Sequence, residues 1–295
     1  MRRLAAAACA CLALAGCSGD EPAGGVRSAP PAGAVAPTTT TVPATTVPAT
    51  TVPTTTTTLT PQASLATVLV AAETAIRSPA TPASELGAHG RSQQQAYRTL
   101  AGHPEWDAEV LATVGERLRP TVEANVSAGR ELAALTPPPA PDRPLPKWTI
   151  VDPDPADALV ALYKAAGAAA GGVGWEYLAA IHLVETRMGR IRGDSTAGAQ
   201  GPMQFIPTTW DIYGRGGDIT SNRDAIYAAA RYLRATGAPA DMARALRAYN
   251  NSARYVRAVT AYAQQMEADE RAYLGYHAWQ VYYGPRLLPE GTVVG

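Results

Sequence analysis

The chain has 295 residues, 46% of them hydrophobic and 17% charged, with 25 basic side chains against 25 acidic ones. That length suggests about two domains, and a net charge of zero gives a nucleic-acid partner no electrostatic support. No apolar run approaches the roughly 18 residues of a membrane-spanning helix, which excludes an integral membrane protein.

The chain opens with Arg2 and Arg3, an apolar stretch over 4–15 and then small residues, the layout of a secretory signal peptide over 1–16. Within it, Leu14-Ala15-Gly16-Cys17 resembles a bacterial lipobox. The resemblance implies that Cys17 is lipidated, becomes the mature N-terminus and anchors the protein to a membrane in the cell envelope. Acyl chains bind at about 0.8 kcal/mol per buried methylene, and more than one makes the anchor stable. Cys9 and Cys11 leave with the signal, so the exported chain can hold neither a disulfide nor a Cys-based metal site.

Residues 17–61 are dominated by Pro, Thr, Ala and Val, with the echo Val42-Pro43-Ala44-Thr45-Thr46, Val47-Pro48-Ala49-Thr50-Thr51. Such a segment has little to bury and reads as a disordered tether with polyproline II character, at most about 3.1 Å per residue. Residues 62–136 are Ala-rich and read as two or three helices. Leu65, Val68, Leu69 and Ala72 recur at helical spacing, as do Leu111, Val114, Leu118 and Val122, with a break or kink predicted at Pro120. No catalytic constellation is visible there, and His89 and His103 read as lone surface imidazoles. The region reads as a spacer, or as a docking module for a cell-wall protein. A Pro-rich linker over 137–147 follows. Of 19 aromatic residues only Tyr97 and Trp106 precede residue 145, so the best-packed domain is expected over 148–295.

In that second half a helix opens at Pro155-Ala156-Asp157 and carries Leu159, Leu162, Tyr163 and Ala166. Another is expected from about Trp175 to Met188, closed by Gly189, with Leu178, Ile181 and Met188 on its apolar face. Glu185 stands four residues after Ile181 and therefore on that face. Burial disfavours a charged carboxylate, so Glu185 is either satisfied structurally or held with a raised pKa as a proton donor. A small-residue loop from Ser195 to Pro207 follows, in which Gly198 and Gly201 permit close backbone approach to a ligand and Gln204 offers an amide to a sugar. Ser221 caps a helix running to Gly237, another starts near Pro239, and Ser252 caps a last long one carrying Tyr255, Val256, Val259 and Tyr262. No run within 148–275 strongly favours a sheet, so the class expected is mainly α.

Three stretches in this order resemble the motifs of the lytic transglycosylases: Val184-Glu185-Thr186, then Ser195 and Gly198-Ala199-Gln200-Gly201-Pro202-Met203-Gln204-Phe205-Ile206-Pro207, then Ala248-Tyr249-Asn250. The resemblance covers about 40% of the chain. It is closest to actinobacterial-type lipoproteins, and Val184–Gly189 is also similar to the membrane-bound B-type enzymes. It implies a lysozyme-like catalytic domain over 148–295 that cuts the peptidoglycan strand between N-acetylmuramic acid and N-acetylglucosamine, leaving a 1,6-anhydromuramyl end. Glu185 would be the single acid/base; Ser195, Met203 and Gln204 would line the glycan groove, and Tyr249 with Asn250 would sit beside Glu185. Thr186 stands where many relatives have Ser, keeping the hydroxyl. Asp218 alone in the loop after Trp210 falls short of a Ca²⁺ site, so no metal and no cofactor is expected.

A hydrolytic muramidase on the same fold would need a second carboxylate, for which Asp194 and Asp211 are the candidates. A non-catalytic wall-binding scaffold lipoprotein is the alternative of another class. Arg187, Arg190 and Arg192 read as a solvated cationic face, or as contacts to muramyl and stem-peptide carboxylates. His182 reads as packed or water-facing rather than a ligand, and the aromatic tail over 273–283 as core packing rather than a sugar platform.

Overall fold

The computed structural model describes residues 59–136 and 146–295. The signal segment, Cys17, the tether up to residue 58 and the linker over 137–145 lie outside the described residues. The described chain is mainly α. Four helices come first: α1 (Pro61–Arg77), α2 (Ala83–Gly102), α3 (Asp107–Thr113) and α4 (Arg119–Leu135). Pro120 does break the second periodic set, because it sits in the first turn of α4, where its missing N–H costs nothing. Then come α5 (Ala156–Ala169), α6 (Trp175–Thr186), α7 (Pro207–Tyr213), α8 (Asn222–Thr236), α9 (Met242–Tyr249), α10 (Ala253–Ala268) and α11 (Ala272–His277). Among the described residues no helix is long and apolar enough to cross a membrane.

The predicted caps form. The Ser221 side chain accepts from the Asp224 amide and that of Ser252 from the Arg254 amide. α9 begins at Met242 rather than near Pro239, because the Asp241 carboxylate caps it through the Arg244 amide. Short strands also occur. β1 (Trp148–Ile150) pairs antiparallel with β2 (Ile191–Arg192), Ile150 opposite Ile191, and with β5 (Val293–Val294), Trp148 opposite Val294. β3 (Val281–Tyr283) and β4 (Arg286–Leu288) form a hairpin. Strands of two or three residues are too short to carry a period-2 pattern.

The stretch over 61–135 is not a separate spacer in its packing. α4 lies along α10, α2 lies against α11, and their apolar faces join α5, α6 and α8 in one hydrophobic core. Buried polar groups cross the same boundary. Glu73 on α1 is fully buried and accepts from Gln93 Nε2 at 2.9 Å, from Arg77 Nη1 at 2.8 Å and from the Tyr97 hydroxyl. Gln93 Oε1 accepts from Trp279 Nε1 at 2.9 Å, and Asn125 Oδ1 from the Tyr276 hydroxyl at 2.6 Å. The Gln94 amide reads the Gln280 backbone from both sides, at 2.8 and 2.9 Å, as a strand neighbour would. The aromatic tail is thereby core: Tyr273, Tyr276 and Trp279 are buried, with Trp279 edge-on to Tyr262 and Tyr276.

Candidate functional site

α6 runs through the middle of the molecule. Every residue from Leu178 to Thr186 is buried, so polar side chains on it sit among apolar ones whichever face they occupy. The helix ends at Thr186, two residues before the sequence suggests. Arg187 and Met188 both adopt left-handed conformations, φ 54° and 59°, ahead of Gly189 at 79°. Two successive non-glycine residues there cost about 1–2 kcal/mol each and persist only when the surroundings enforce them. Arg187 Nη1 donates to the Leu183 carbonyl at 2.8 Å, and the Tyr163 hydroxyl reaches Met188 Sδ at 3.4 Å. Two members of the cationic run are not solvated: Arg187 and Arg190 are buried, and Arg190 pairs with Glu290 at 2.9 Å, while the half-buried Arg192 donates to the Thr220 carbonyl at 3.0 Å.

Glu185 lies two residues before that turn and is 3% exposed. The Tyr255 hydroxyl, in the first turn of α10, donates to Glu185 Oε1 at 2.9 Å. Tyr255 stacks parallel to Tyr249, ring centroids 6.4 Å apart. Tyr249, the last residue of α9, donates its hydroxyl to the Met203 carbonyl at 2.6 Å. A continuous path therefore leads from Glu185 through two tyrosines to the loop over 195–206. Thr186 closes it from the other side, donating to the Pro202 carbonyl at 2.6 Å while accepting from the Gly189 amide at 3.1 Å.

The loop is built to hold one shape. Ser195 Oγ accepts from the amides of Ala199 and Ala197 at 2.9 and 3.3 Å, fixing the turn. Gln200 and Phe205 form an antiparallel bridge, and Phe205 packs edge-on against Tyr249 and Trp210. Gly201 has φ 71°, and a Cβ there would stand 1.9 Å from the Ile219 carbonyl oxygen. Its close approach is to the protein's own backbone rather than to a ligand. Met203 is fully buried and contributes its carbonyl, while its side chain belongs to the core. Gln204, left-handed at φ 50° and 5% exposed, donates Nε2 to the Gly201 carbonyl at 2.9 Å, and its buried Oε1 has no hydrogen-bond partner among the described residues. A buried amide oxygen left unsatisfied costs about 1–3 kcal/mol, so Gln204 Oε1 is an acceptor open to a further hydrogen bond. Asn250 follows Tyr249 as the C-cap of α9 and is buried.

The structure thus brings Glu185, Tyr249, Asn250, Met203, Gln204 and the Ser195 turn into one neighbourhood. It adds Tyr255, which the sequence offers only as an apolar position of a long helix. The one signal for it was its place three residues after the Ser252 cap. Asp194 and Asp211 are both exposed, and Asp194 accepts from Gln200 Nε2 at 3.4 Å. Asp218 accepts from the Thr220 amide and hydroxyl at 2.8 and 2.7 Å, bonds that hold its carboxyl below the usual carboxylate range. His182 is packed: its Nδ1 meets the Tyr163 hydroxyl at 2.7 Å, and burial, followed by the cationic neighbours Arg192, His277 and Arg190, lowers its pKa to about 3.

No model of a known protein family, no curated protein and no solved structure matches the chain.

Proposed function

We propose that the chain is a peptidoglycan lytic transglycosylase with a lysozyme-like catalytic fold, exported and lipid-anchored to a membrane through Cys17. The observation that carries this reading is a buried carboxyl, Glu185, held by a tyrosine hydroxyl and joined through Tyr249 to a loop in which the Gln204 amide oxygen has no partner among the described residues. A glycan strand needs one proton donor at the scissile oxygen and hydrogen-bonding groups for its hydroxyls and acetamido groups.

In this proposal Glu185 protonates the glycosidic oxygen as the bond to the muramyl anomeric carbon breaks. The muramyl 2-acetamido group stabilises the oxocarbenium-like centre, a substrate-assisted variant of the two-carboxylate scheme. The ionised Glu185 then takes the proton from the same sugar's 6-hydroxyl, and that oxygen bonds to the anomeric carbon. The products are a free 4-hydroxyl and a 1,6-anhydro ring, with no water consumed and no second carboxylate required. Tyr255 keeps Oε1 in place through both proton transfers, and Gln204 Oε1 accepts from a sugar N–H or O–H.

The test is digestion of purified peptidoglycan by wild type and Glu185→Gln, read by mass. Anhydro products, one water lighter than hydrolytic ones, and loss of clearing in the variant are expected. Hydrolytic products would indicate a muramidase, and equal clearing by both proteins would remove Glu185 from the chemistry.

A further inference from the structure

Between the end of α2, helices α3 and α4 and the first turn of α10 lies a cavity of about 350 Å³, within the range of small-ligand sites. Its walls include the apolar side chains Leu100, Leu111, Val126 and Ala134. Its charges are unevenly matched. Arg130 grips Asp107 with two bonds of 2.6 and 2.8 Å, and Arg254 donates to Glu131 at 2.9 Å. Arg257 adds two further bonds to Glu131, at 2.7 and 2.9 Å. Glu123 is exposed on the rim and has no ion pair or hydrogen bond among the described residues.

A cavity with aliphatic walls and one unmatched carboxylate suits an aliphatic stem ending in an ammonium group, since such a side chain lays its methylenes on apolar surface and keeps its head at the rim. We propose that this cavity binds the peptide arm of the glycan, taking the side chain of a diamino residue with its ammonium at Glu123. The identity of the arm rests on the function proposed above; the complementarity rests on the cavity. A shared helical turn with the residue that holds the candidate catalytic group supports it. Arg254 on the rim adjoins Tyr255, whose hydroxyl holds Glu185, so one helical turn serves both places. The helices over 61–135 would then supply substrate contacts rather than distance alone.

The probe is a soluble tetrapeptide, L-Ala–γ-D-Glu–L-Lys–D-Ala, titrated calorimetrically into the full chain beside the same peptide acetylated at the lysine amine. The free amine should bind, and either acetylation or Glu123→Gln should weaken it about fivefold, the worth of one exposed charge pair. Equal binding of the two peptides, unchanged binding by the variant, or no binding at all would overturn the proposal. Glu123→Gln should cut peptide-free glycan as wild type does. Wild type that cuts no glycan defeats the proposed function and leaves the binding result to be read by itself.

Discussion

Replacing Glu73 by Ala tests whether the helices before the Pro-rich segment fold as one body with those after it. The side chain is fully buried and serves three donors at once: Arg77, Gln93 and Tyr97. Burial, and next the Glu73 charge, push the Tyr97 phenol well above its ordinary range, so it stays a donor throughout the accessible pH scale. Removing the carboxylate leaves a buried amide and hydroxyl unmatched and Arg77 without its main partner. Breaking a buried pair in this way costs about 3–5 kcal/mol. For a unit of this size each kcal/mol lowers Tm by about 2–4 °C, so a drop of about 10 °C is expected. Far-UV circular dichroism and tryptophan fluorescence should report one coincident transition in wild type and variant, because Gln93 passes the perturbation directly to Trp279. Two resolved transitions, with only the lower one moving, would refute the shared core and restore a separate spacer.

Tyr255→Phe keeps the ring against Tyr249 and removes the hydroxyl that bonds Glu185; kcat for glycan cleavage should fall about tenfold, the worth of one hydrogen bond to a carboxylate, with Tm lowered by only a few degrees. Unaltered turnover would deny the tyrosine a positioning role. Gly201→Ala drives a methyl into the Ile219 carbonyl at a left-handed residue, so cleavage should be lost while the far-UV spectrum of the helices persists, and an active variant would show that the loop's shape is dispensable. His182 should give the fold a dependence on mild acid. Its folded pKa of about 3 lies below the free value of 6.5, so its contribution is whole above pH 6.5 and declines by about 1.4 kcal/mol per unit as pH falls toward 3. Between pH 6.5 and 5 the urea-unfolding free energy of His182→Leu should fall less steeply than that of wild type, and equal slopes would remove His182 as the cause.

What could be read in advance was local, and what could not was enforced from a distance. Ser221, Ser252 and Pro120 act within one turn of themselves, and each starts a helix where its chemistry says it should. Glu185 stood out because a carboxylate on an apolar stripe violates a local rule, and the structure answers with Tyr255, seventy residues on. The early end of α6 could not be inferred, since nothing in Arg187-Met188 favours left-handed backbone; the Leu183 carbonyl and the Tyr163 hydroxyl hold them there. The Pro-rich stretch after Leu135 suggested a boundary by composition, yet α4 packs on α10 and Gln93 bonds Trp279 across 186 residues of chain. An amphipathic helix announces an apolar face without naming its partner, so the sequence over 62–136 was equally compatible with a free docking surface. The same limit explains why the loop over 195–206 was recognisable by its residues but not by their duties: the Ser195 side chain fixes the turn, Met203 contributes its carbonyl, and Gln204 holds a buried amide oxygen with no partner among the described residues. Function in this fold is therefore most exposed to substitutions at Gly201, Thr186 and Tyr255, three residues that hold the loop and Glu185 in register.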